Sequence, residues 1–158
     1  MDGFFENSLL QAHIVLIPKG ENPDAVQKFR PICLLNVAYK VLSKVIVNRL
    51  RPFLQHLIGP FQNSFLAGRS TTDNIILTQE AVHSMRRMKG RKGALAFKID
   101  LQKAFDSVDW EFLRMVLLDF NIPAPLIRLI MFSVTSLQLS ILWNGEELPP
   151  FVPQRGLR

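Results

Sequence analysis

The stretch Phe97-Lys98-Ile99-Asp100-Leu101-Gln102-Lys103-Ala104-Phe105-Asp106 decides how this chain is interpreted. The mostly apolar residues that lead into Asp100 predict a short buried strand over residues 94–100. A carboxylate held rigidly at the end of such a strand suits Mg²⁺, which prefers hard oxygen ligands and needs few carboxylates. Strands that end in Asp occur in many folds, so the stretch alone leaves a metal role for Asp100 open.

Two further carboxylates, Asp106 at the end of this stretch and Asp109 three residues later, precede a helical pattern that ends near Asn121. A carboxylate at the start of a helix accepts hydrogen bonds from backbone N–H groups and faces the positive end of the helix dipole. We therefore predict that both residues cap a helix and that the three aspartates do not form a metal cluster.

On the N-terminal side of the stretch, the sequence predicts two helices and one strand. An apolar run predicts a strand at residues 12–17, followed by a loop at residues 19–27. Apolar residues at helical spacing predict a helix over residues 36–58, with a kink or a restart at Pro52. Ser70 or Thr71 would cap the next helix, which would end near Met88.

On the C-terminal side, Pro123 and Pro125 open a helix predicted at about residues 124–134. Asn144-Gly145 lies between two apolar runs at residues 137–143 and 147–152, which is a strong signal for a two-residue β-hairpin. Strands and helices are mixed without strict alternation, so the sequence predicts an α+β fold with a small antiparallel sheet.

Composition limits the class of protein. The chain has 158 residues, of which 48% are hydrophobic, and this is enough for a folded domain with a core. It contains no apolar run of the roughly 18 residues that a membrane helix needs, and its N-terminus is a poor signal peptide. The single cysteine, Cys33, excludes an internal disulfide, and its apolar neighbours predict a small core residue.

The charge balance favours a polyanionic partner only weakly. Nineteen Lys and Arg against thirteen Asp and Glu give a net charge of +6, and many basic proteins bind no nucleic acid. The densest basic cluster is Arg86-Arg87-Met88-Lys89-Gly90-Arg91-Lys92, between a helical pattern and the predicted strand. A solvated loop and a phosphate contact are both open interpretations of it.

Short sequence blocks occur along nearly the whole chain in a fixed order. They are Leu16-Ile17-Pro18-Lys19, Phe29-Arg30-Pro31-Ile32-Cys33-Leu34-Leu35-Asn36, Tyr39-Lys40, Asn48-Arg49-Leu50, Gln62-Asn63-Ser64-Phe65, Gly68-Arg69, Asp73-Asn74-Ile75, Ala104-Phe105-Asp106 and Pro153-Gln154-Arg155-Gly156-Leu157-Arg158. In order and spacing they resemble the reverse transcriptases of LINE-type, non-LTR retrotransposons, most of all the plant elements.

The resemblance implies part of a right-hand polymerase, with a fingers-like region at residues 1–92 and an incomplete palm at residues 93–158. The implied activity is RNA-directed DNA polymerisation on an RNA template and a DNA primer, with deoxynucleoside triphosphates as substrates. In the family pattern, Lys19 and Arg30 grip the incoming triphosphate. Their chemistry suits this role, because Lys offers a mobile point charge and Arg a planar fork. Phe105 matches the aromatic residue that lies under the sugar.

The resemblance also assigns the metal and template residues. Asp100 matches the first catalytic aspartate of the palm, a Mg²⁺ ligand, and Leu101 would place its backbone carbonyl near the second metal ion. The residues that match the template-contacting block are Gln62, Asn63, Phe65 and Arg69. Base stacking and phosphate contacts would be their function.

The second carboxylate block of such polymerases, an Asp-Asp hairpin, does not occur in these residues, and the last aspartate is Asp119. A two-metal site with one carboxylate loses most of its ligands, so we expect the magnesium site to be incomplete and this chain alone to be inactive. The alternatives are a non-catalytic RNA- or DNA-binding remnant and a partial record of a longer active enzyme. The unpaired strand edge predicts self-association, and the expected compartment is nucleus or cytoplasm without secretion.

Overall fold

The computed structural model describes residues 7–90 and 93–157. The chain divides into two compact units, of which the first comprises Met1–Ile46 and Lys103–Arg158 and the second Val47–Gln102. The boundary predicted after Lys92 falls within the second unit, and the division into fingers and palm stays a prediction. No helix in the described part of the chain is long and apolar enough to cross a membrane.

The first unit is built on a four-stranded sheet in the order β2-β1-β3-β4. The strands are β1 (Gln11–Pro18), β2 (Phe29–Leu35), β3 (Gln138–Trp143) and β4 (Glu146–Glu147). The pairs β1–β2 and β3–β4 are antiparallel, whereas β1 and β3 run parallel. The predicted α+β class is confirmed, but the sheet is mixed and not purely antiparallel. A turn signal in the sequence predicts an antiparallel hairpin. Parallel strands are joined by a long crossover connection, and no local sequence signal predicts their pairing.

The core of the first unit lies on one face of this sheet. Side chains alternate along a strand, so Ala12 and Ile14 of β1 point to the same side as Leu139 of β3, which is paired with Ala12. Tyr39 and Leu137 complete the buried cluster, and Cys33 packs against it as a partly buried residue. The prediction that the cysteine is a small core residue is thereby confirmed.

One helix contributes a side chain, Tyr39, to this core. Helix α1 (Val37–Leu57) belongs to the first unit up to Ile46, and its Tyr39 hydroxyl donates a hydrogen bond to the backbone carbonyl of Ser133. That carbonyl is among the last four of a helix over Ala124–Thr135, which have no partner within the helix. Burial raises the pKa of the Tyr39 hydroxyl above its usual value.

The two further helices and the hairpin turn of the first unit lie where local signals predict, but the second hairpin strand, predicted at residues 147–152, covers only Glu146–Glu147. Helix α3 (Trp110–Asp119) packs against α4, the helix over Ala124–Thr135 that Pro123 precedes. Asn144 and Gly145 both have positive φ, 52° and 87°, as a two-residue hairpin turn requires. Short 3-10 helices cover Asn7–Leu10, Val26–Lys28 and Phe105–Ser107.

Of the two aspartates predicted to cap α3, one does so. The Asp109 carboxylate accepts a 2.9 Å hydrogen bond from the backbone N–H of Phe112. The prediction for Asp106 was wrong, because this residue lies within the 3-10 helix Phe105–Ser107, ahead of the cap position of α3. Asp109 occupies the cap position, from which a side chain accepts hydrogen bonds from the unpaired N–H groups of the first turn.

The second unit contains the C-terminal part of α1 and helix α2 (Thr71–Arg87). Helix α1 passes through Pro52 as one element, so the chain does not restart there. Ser70 caps α2 by accepting a 3.1 Å hydrogen bond from the Thr72 backbone N–H. The basic cluster begins in the last turn of α2 with Arg86 and Arg87, and its residues 91 and 92 lie outside the described residues.

The strand predicted at residues 94–100 is not present. This segment has no regular secondary structure, and its apolar side chains are largely exposed, with Leu95, Phe97 and Ile99 at 85%, 83% and 81%. A strand needs a neighbour for its backbone N–H and C=O groups, and none of the strands in the described ranges pairs with it. Apolar alternation predicts the ability to form a strand, while the partner is decided by the tertiary structure.

Candidate functional site

The basic residues predicted to hold a triphosphate lie at one end of the β1–β2 hairpin. Lys19 directly follows β1, and Arg30, the second residue of β2, is paired with Ile17. The Lys19 backbone N–H donates a 2.8 Å hydrogen bond to the Lys28 carbonyl, which closes the hairpin at this end. Both predicted side chains are exposed. The structure therefore brings Lys19 and Arg30 to the same end of one hairpin.

One neighbouring cation at this end of the hairpin is paired. Lys28 lies 2.6 Å from Asp24 in an ion pair on the surface, and the Lys19 ammonium donates a 2.9 Å hydrogen bond to the Gln27 carbonyl. An exposed hydrogen bond of this kind exchanges readily with water or an anion. The hairpin end thus offers a mobile ammonium and a guanidinium to an anionic group.

The third predicted nucleotide residue, Phe105, lies against the C-terminal block of the chain. The Leu157 backbone N–H donates a 2.8 Å hydrogen bond to the Phe105 carbonyl, and the Gly156 N–H donates a bond of the same length to Val108. The Trp110 indole N–H in turn donates a 2.9 Å hydrogen bond to the Gly156 carbonyl. Two sequence blocks that are distant along the chain are therefore joined backbone to backbone.

Gly156 is required at this junction by its conformation and by its surroundings. Its φ of 93° lies in the left-handed region, and a Cβ atom at this position would be 2.9 Å from the backbone oxygen of Asp106. Sequence reasoning missed both Gly156 and Trp110 as site-forming residues. The signal available in the sequence was Trp110, because a partly buried indole N–H needs a hydrogen-bond acceptor. The sequence does not show which group is that acceptor.

Asp100 and Leu101, the predicted metal residues, lie in the irregular and exposed segment of the second unit. Leu101 is 72% exposed. Across residues 7–90 and 93–157, no three His, Cys, Asp or Glu side chains are grouped so that they could hold a metal ion. The donor set of these residues therefore does not fit a complete Mg²⁺ site, and Asp100 is a single carboxylate.

The predicted template residues lie in a loop, residues 59–69, between α1 and α2, and Arg69 organises its backbone. One terminal nitrogen of the Arg69 guanidinium donates to the carbonyls of Gly59 and Gln62, at 2.6 and 2.7 Å. The other donates to the carbonyls of Gln55 and Ile58, at 3.1 and 3.0 Å. Arg69 thus binds the C-terminal end of α1 and the start of the loop together.

The loop is held by two further side-chain contacts. Asn63 is 8% exposed, and its amide donates a 2.8 Å hydrogen bond to the Asn74 side chain of α2. The Gln55 amide of α1 donates a 2.8 Å hydrogen bond to the carbonyl of Ala67. The loop is therefore fixed to both helices, and Asn63 is a buried structural contact in this structure.

Phe65 is the most exposed large apolar residue of this loop. It is 92% exposed, and its φ of 67° is unusual for a residue with a bulky side chain. The side-chain amide of Gln62, also exposed, donates a long 3.5 Å hydrogen bond to the Ser64 carbonyl. Of the four predicted template residues, the structure therefore exposes Gln62 and Phe65 and uses Asn63 and Arg69 to hold the loop.

Comparison with known proteins gives a family match over most of the chain. Residues 17–158 match the family described as reverse transcriptase (RNA-dependent DNA polymerase). This range contains the hairpin end, the loop at residues 59–69, Asp100 and the junction at Gly156. The match therefore includes every residue predicted to form a site.

Individual relatives agree with this match. The chain is 30% identical to an uncharacterized 149 kDa protein of transposon TX1 from Xenopus laevis over 96% of its own length and 11% of that protein. It is 25% identical to a retrovirus-related Pol polyprotein from a type-2 retrotransposable element of Drosophila melanogaster, over 99% of the chain and 14% of the relative. It is 29% identical to the RNA-directed DNA polymerase from the mobile element jockey of the same fly, over 67% of the chain and 12% of the relative.

The chain thus spans about a tenth of the length of these relatives. They come from a frog and a fly, and the expected likeness to plant elements stays a prediction.

Proposed function

The chain belongs to the reverse transcriptase family of LINE-type, non-LTR retrotransposons, and from this premise we propose that it forms the fingers and first part of the palm of an RNA-directed DNA polymerase. Its substrates would be deoxynucleoside triphosphates, and its partners an RNA template and a DNA primer. The observation that carries the proposal is the family match over residues 17–158. The alternative of a non-catalytic binding remnant is not favoured by the comparisons.

Lys19, Arg30 and Phe105 are proposed to bind the incoming nucleotide. The position of Lys19 and Arg30 at one end of the hairpin supports a shared anionic ligand. An ammonium and a guanidinium on neighbouring strands can neutralise different oxygens of one triphosphate. Phe105 would contact the sugar with its ring. The backbone carbonyl of Phe105 is held by the hydrogen bond from the Leu157 N–H.

Asp100 and the Leu101 carbonyl are proposed as the ligands that this stretch contributes to catalytic Mg²⁺. Two metal ions hold the attacking and leaving oxygens during nucleotidyl transfer, and the Asp-Asp pair that would supply the remaining carboxylates does not occur in this sequence. We therefore expect the 158-residue chain to bind substrates without extending a primer.

A binding measurement tests the substrate proposal. The labelled probe is an RNA template annealed to a DNA primer, with a deoxynucleoside triphosphate as a second ligand. Replacing Lys19 and Arg30 by Gln is expected to weaken triphosphate binding strongly. The control replaces Lys40 and Lys44, two exposed lysines of α1, by Gln and removes the same charge. Equal losses in both double variants would show that only net charge matters.

A primer-extension assay tests the incomplete metal site. The wild-type chain and an Asp100→Asn variant are assayed with Mg²⁺ and then with Mn²⁺, and neither is expected to extend the primer. Template-dependent extension by the wild type that is lost in Asp100→Asn would overturn the expectation that the chain is inactive. It would at the same time support the metal role of Asp100.

Self-association is proposed for the apolar segment at residues 94–101. Leu95, Phe97 and Ile99 alternate with smaller or polar residues and are largely exposed, so a second copy could pair with this segment as a strand. Phe97→Asp should raise the monomer fraction in sedimentation velocity. Phe61→Asp, which changes another exposed Phe of the same unit, is the matched control. A monodisperse wild-type monomer with a cooperative thermal transition would contradict the proposal.

A further inference from the structure

Both terminal nitrogens of the Arg69 guanidinium donate hydrogen bonds within the chain. Arginine has two N–H groups on each terminal nitrogen and one on Nε. Each Arg69 terminal nitrogen donates to two backbone carbonyls at 2.6–3.1 Å. All four terminal N–H groups therefore have partners within the chain. A bidentate grip on a phosphate would require the loss of two of these hydrogen bonds.

The position of these four carbonyls explains why they bind a cation such as Arg69. Gln55 is among the last four residues of α1, whose carbonyls have no partner within the helix. Ile58 and Gly59 continue the chain directly beyond this helix. Carbonyls at a helix C-terminus carry partial negative charge and favour a cation. The planar fork of arginine satisfies two pairs of acceptors at once, which the single ammonium of lysine cannot do.

The same contacts fix the conformation in which Phe65 is presented. Arg69 binds the start of the loop through Gly59 and Gln62, and its own backbone N–H is 3.4 Å from the Leu66 carbonyl. Phe65 lies between these anchor points with positive φ, and the residue is 92% exposed. An exposed ring on a fixed backbone is a stacking platform for an unpaired base.

We propose that Arg69 is a positioning residue for single-stranded template: its guanidinium fixes the loop so that Phe65 stacks on an unpaired base, and Arg69 makes no phosphate contact. The inference rests on the proposed function, since it assumes that this loop meets a template. It changes the role predicted for Arg69 from ligand contact to support of Phe65.

The test uses the 158-residue chain and a fluorescently labelled single-stranded oligouridylate of about 15 nucleotides, long enough to span a typical single-strand site. The variants are Arg69→Lys, Phe65→Ala and the double variant, with Arg51→Lys of α1 as a control that also keeps the charge. Affinity is measured over a range of salt concentrations. Hydrogen–deuterium exchange of the loop amides is measured without nucleic acid, so that the state of the loop is known independently of binding.

Arg69→Lys is expected to speed exchange across the loop and to weaken binding about tenfold, as for the loss of one base–aromatic stack. The slope of log affinity against log salt should stay unchanged, and the double variant should bind no more weakly than Phe65→Ala alone. Arg51→Lys should alter neither exchange nor binding. Asn74→Ala, which removes the partner of Asn63 and leaves Arg69 intact, should also weaken binding without changing the slope.

The opposite results overturn the inference. Unchanged loop exchange in Arg69→Lys would show that the guanidinium does not fix the loop. Wild-type affinity in Arg69→Lys, together with an Arg69→Gln variant whose salt slope falls by about 0.7, would identify a direct phosphate contact. A wild-type chain that binds no oligouridylate would refute template binding itself, and the positioning role would fall with it. In that case faster loop exchange would remain as a purely structural effect.

Discussion

Replacing Gly156 by Ala tests whether the C-terminal block is a structural part of the first unit. The change adds one methyl group, which would lie 2.9 Å from the Asp106 backbone oxygen and 3.1 Å from its Cα atom. Backbone atoms cannot rotate away as a flexible side chain can. The block around Gly156 must therefore shift or leave its place.

The expected cost follows from two contributions. The left-handed conformation costs an alanine about 1–2 kcal/mol. The steric contact raises this cost further. If the block detaches, the contact is relieved, but the chain loses the hydrogen bonds Gly156–Val108, Leu157–Phe105 and Trp110–Gly156. At about 1 kcal/mol each, these bonds limit the total loss to about 3 kcal/mol. We expect Gly156→Ala to lower the free energy of unfolding by about 2–3 kcal/mol.

Gly145→Ala is the matched control. Gly145 also has a positive φ, 87°, but no atom lies within 4 Å of the position of its added Cβ. It should therefore lose only the conformational contribution of about 1–2 kcal/mol. The difference between the two variants isolates the contact with Asp106.

Urea unfolding followed by tryptophan fluorescence provides the measurement. Detachment of the block releases the Trp110 indole to water, so the Gly156→Ala spectrum should shift to the red before the main transition. Equal stability losses in Gly156→Ala and Gly145→Ala, with no spectral shift in either, would refute the reasoning. The block would then make no tight contact with residues 105–108.

Three further predictions concern the same unit. Tyr39→Phe should cost about 1 kcal/mol at neutral pH, because it removes the hydrogen bond to Ser133. Since burial raises the pKa of Tyr39 in the folded state, its stabilising effect is complete below the unfolded pKa of about 10 and is lost as the pH rises through the higher folded value. The wild type should therefore lose stability in alkaline urea titrations faster than Tyr39→Phe, and parallel curves would contradict this. Asp109→Ala should lower stability by about 1 kcal/mol through loss of the α3 cap, whereas Asp119→Ala at the other end of that helix should not; thermal unfolding followed by circular dichroism compares the two. Trp110→Phe should lower stability by about 1 kcal/mol through the lost indole hydrogen bond, and a loss equal to that of Gly156→Ala would show that this single bond holds the block.

The sequence predicted those features whose partners are close along the chain. Asn144-Gly145 forms the hairpin turn, Ser70 caps α2, and Asp109 caps α3. Each is a contact within a few residues, so the local pattern contains both partners. The reverse transcriptase family also followed from sequence alone, because ordered blocks along the chain carry that information without any contact between them.

The tertiary structure decided everything that depends on a distant partner. The parallel pairing of β1 with β3 joins Ala12 to Leu139, and no local signal identifies that neighbour. Residues 94–100 have the alternation of a strand but no strand to pair with in the described structure, so they remain irregular and exposed.

The candidate site follows the same division. The order of the sequence blocks identified Asp100, Lys19, Arg30 and Phe105 as candidate site residues. The roles of these residues stay predictions. The structure alone showed that Arg69 donates to four backbone carbonyls and that Gly156 closes against Asp106. The sequence determines which donors and which small residues are available. The folded backbone decides which acceptors they reach, because hydrogen bonds and steric contacts act only over a few ångströms in space.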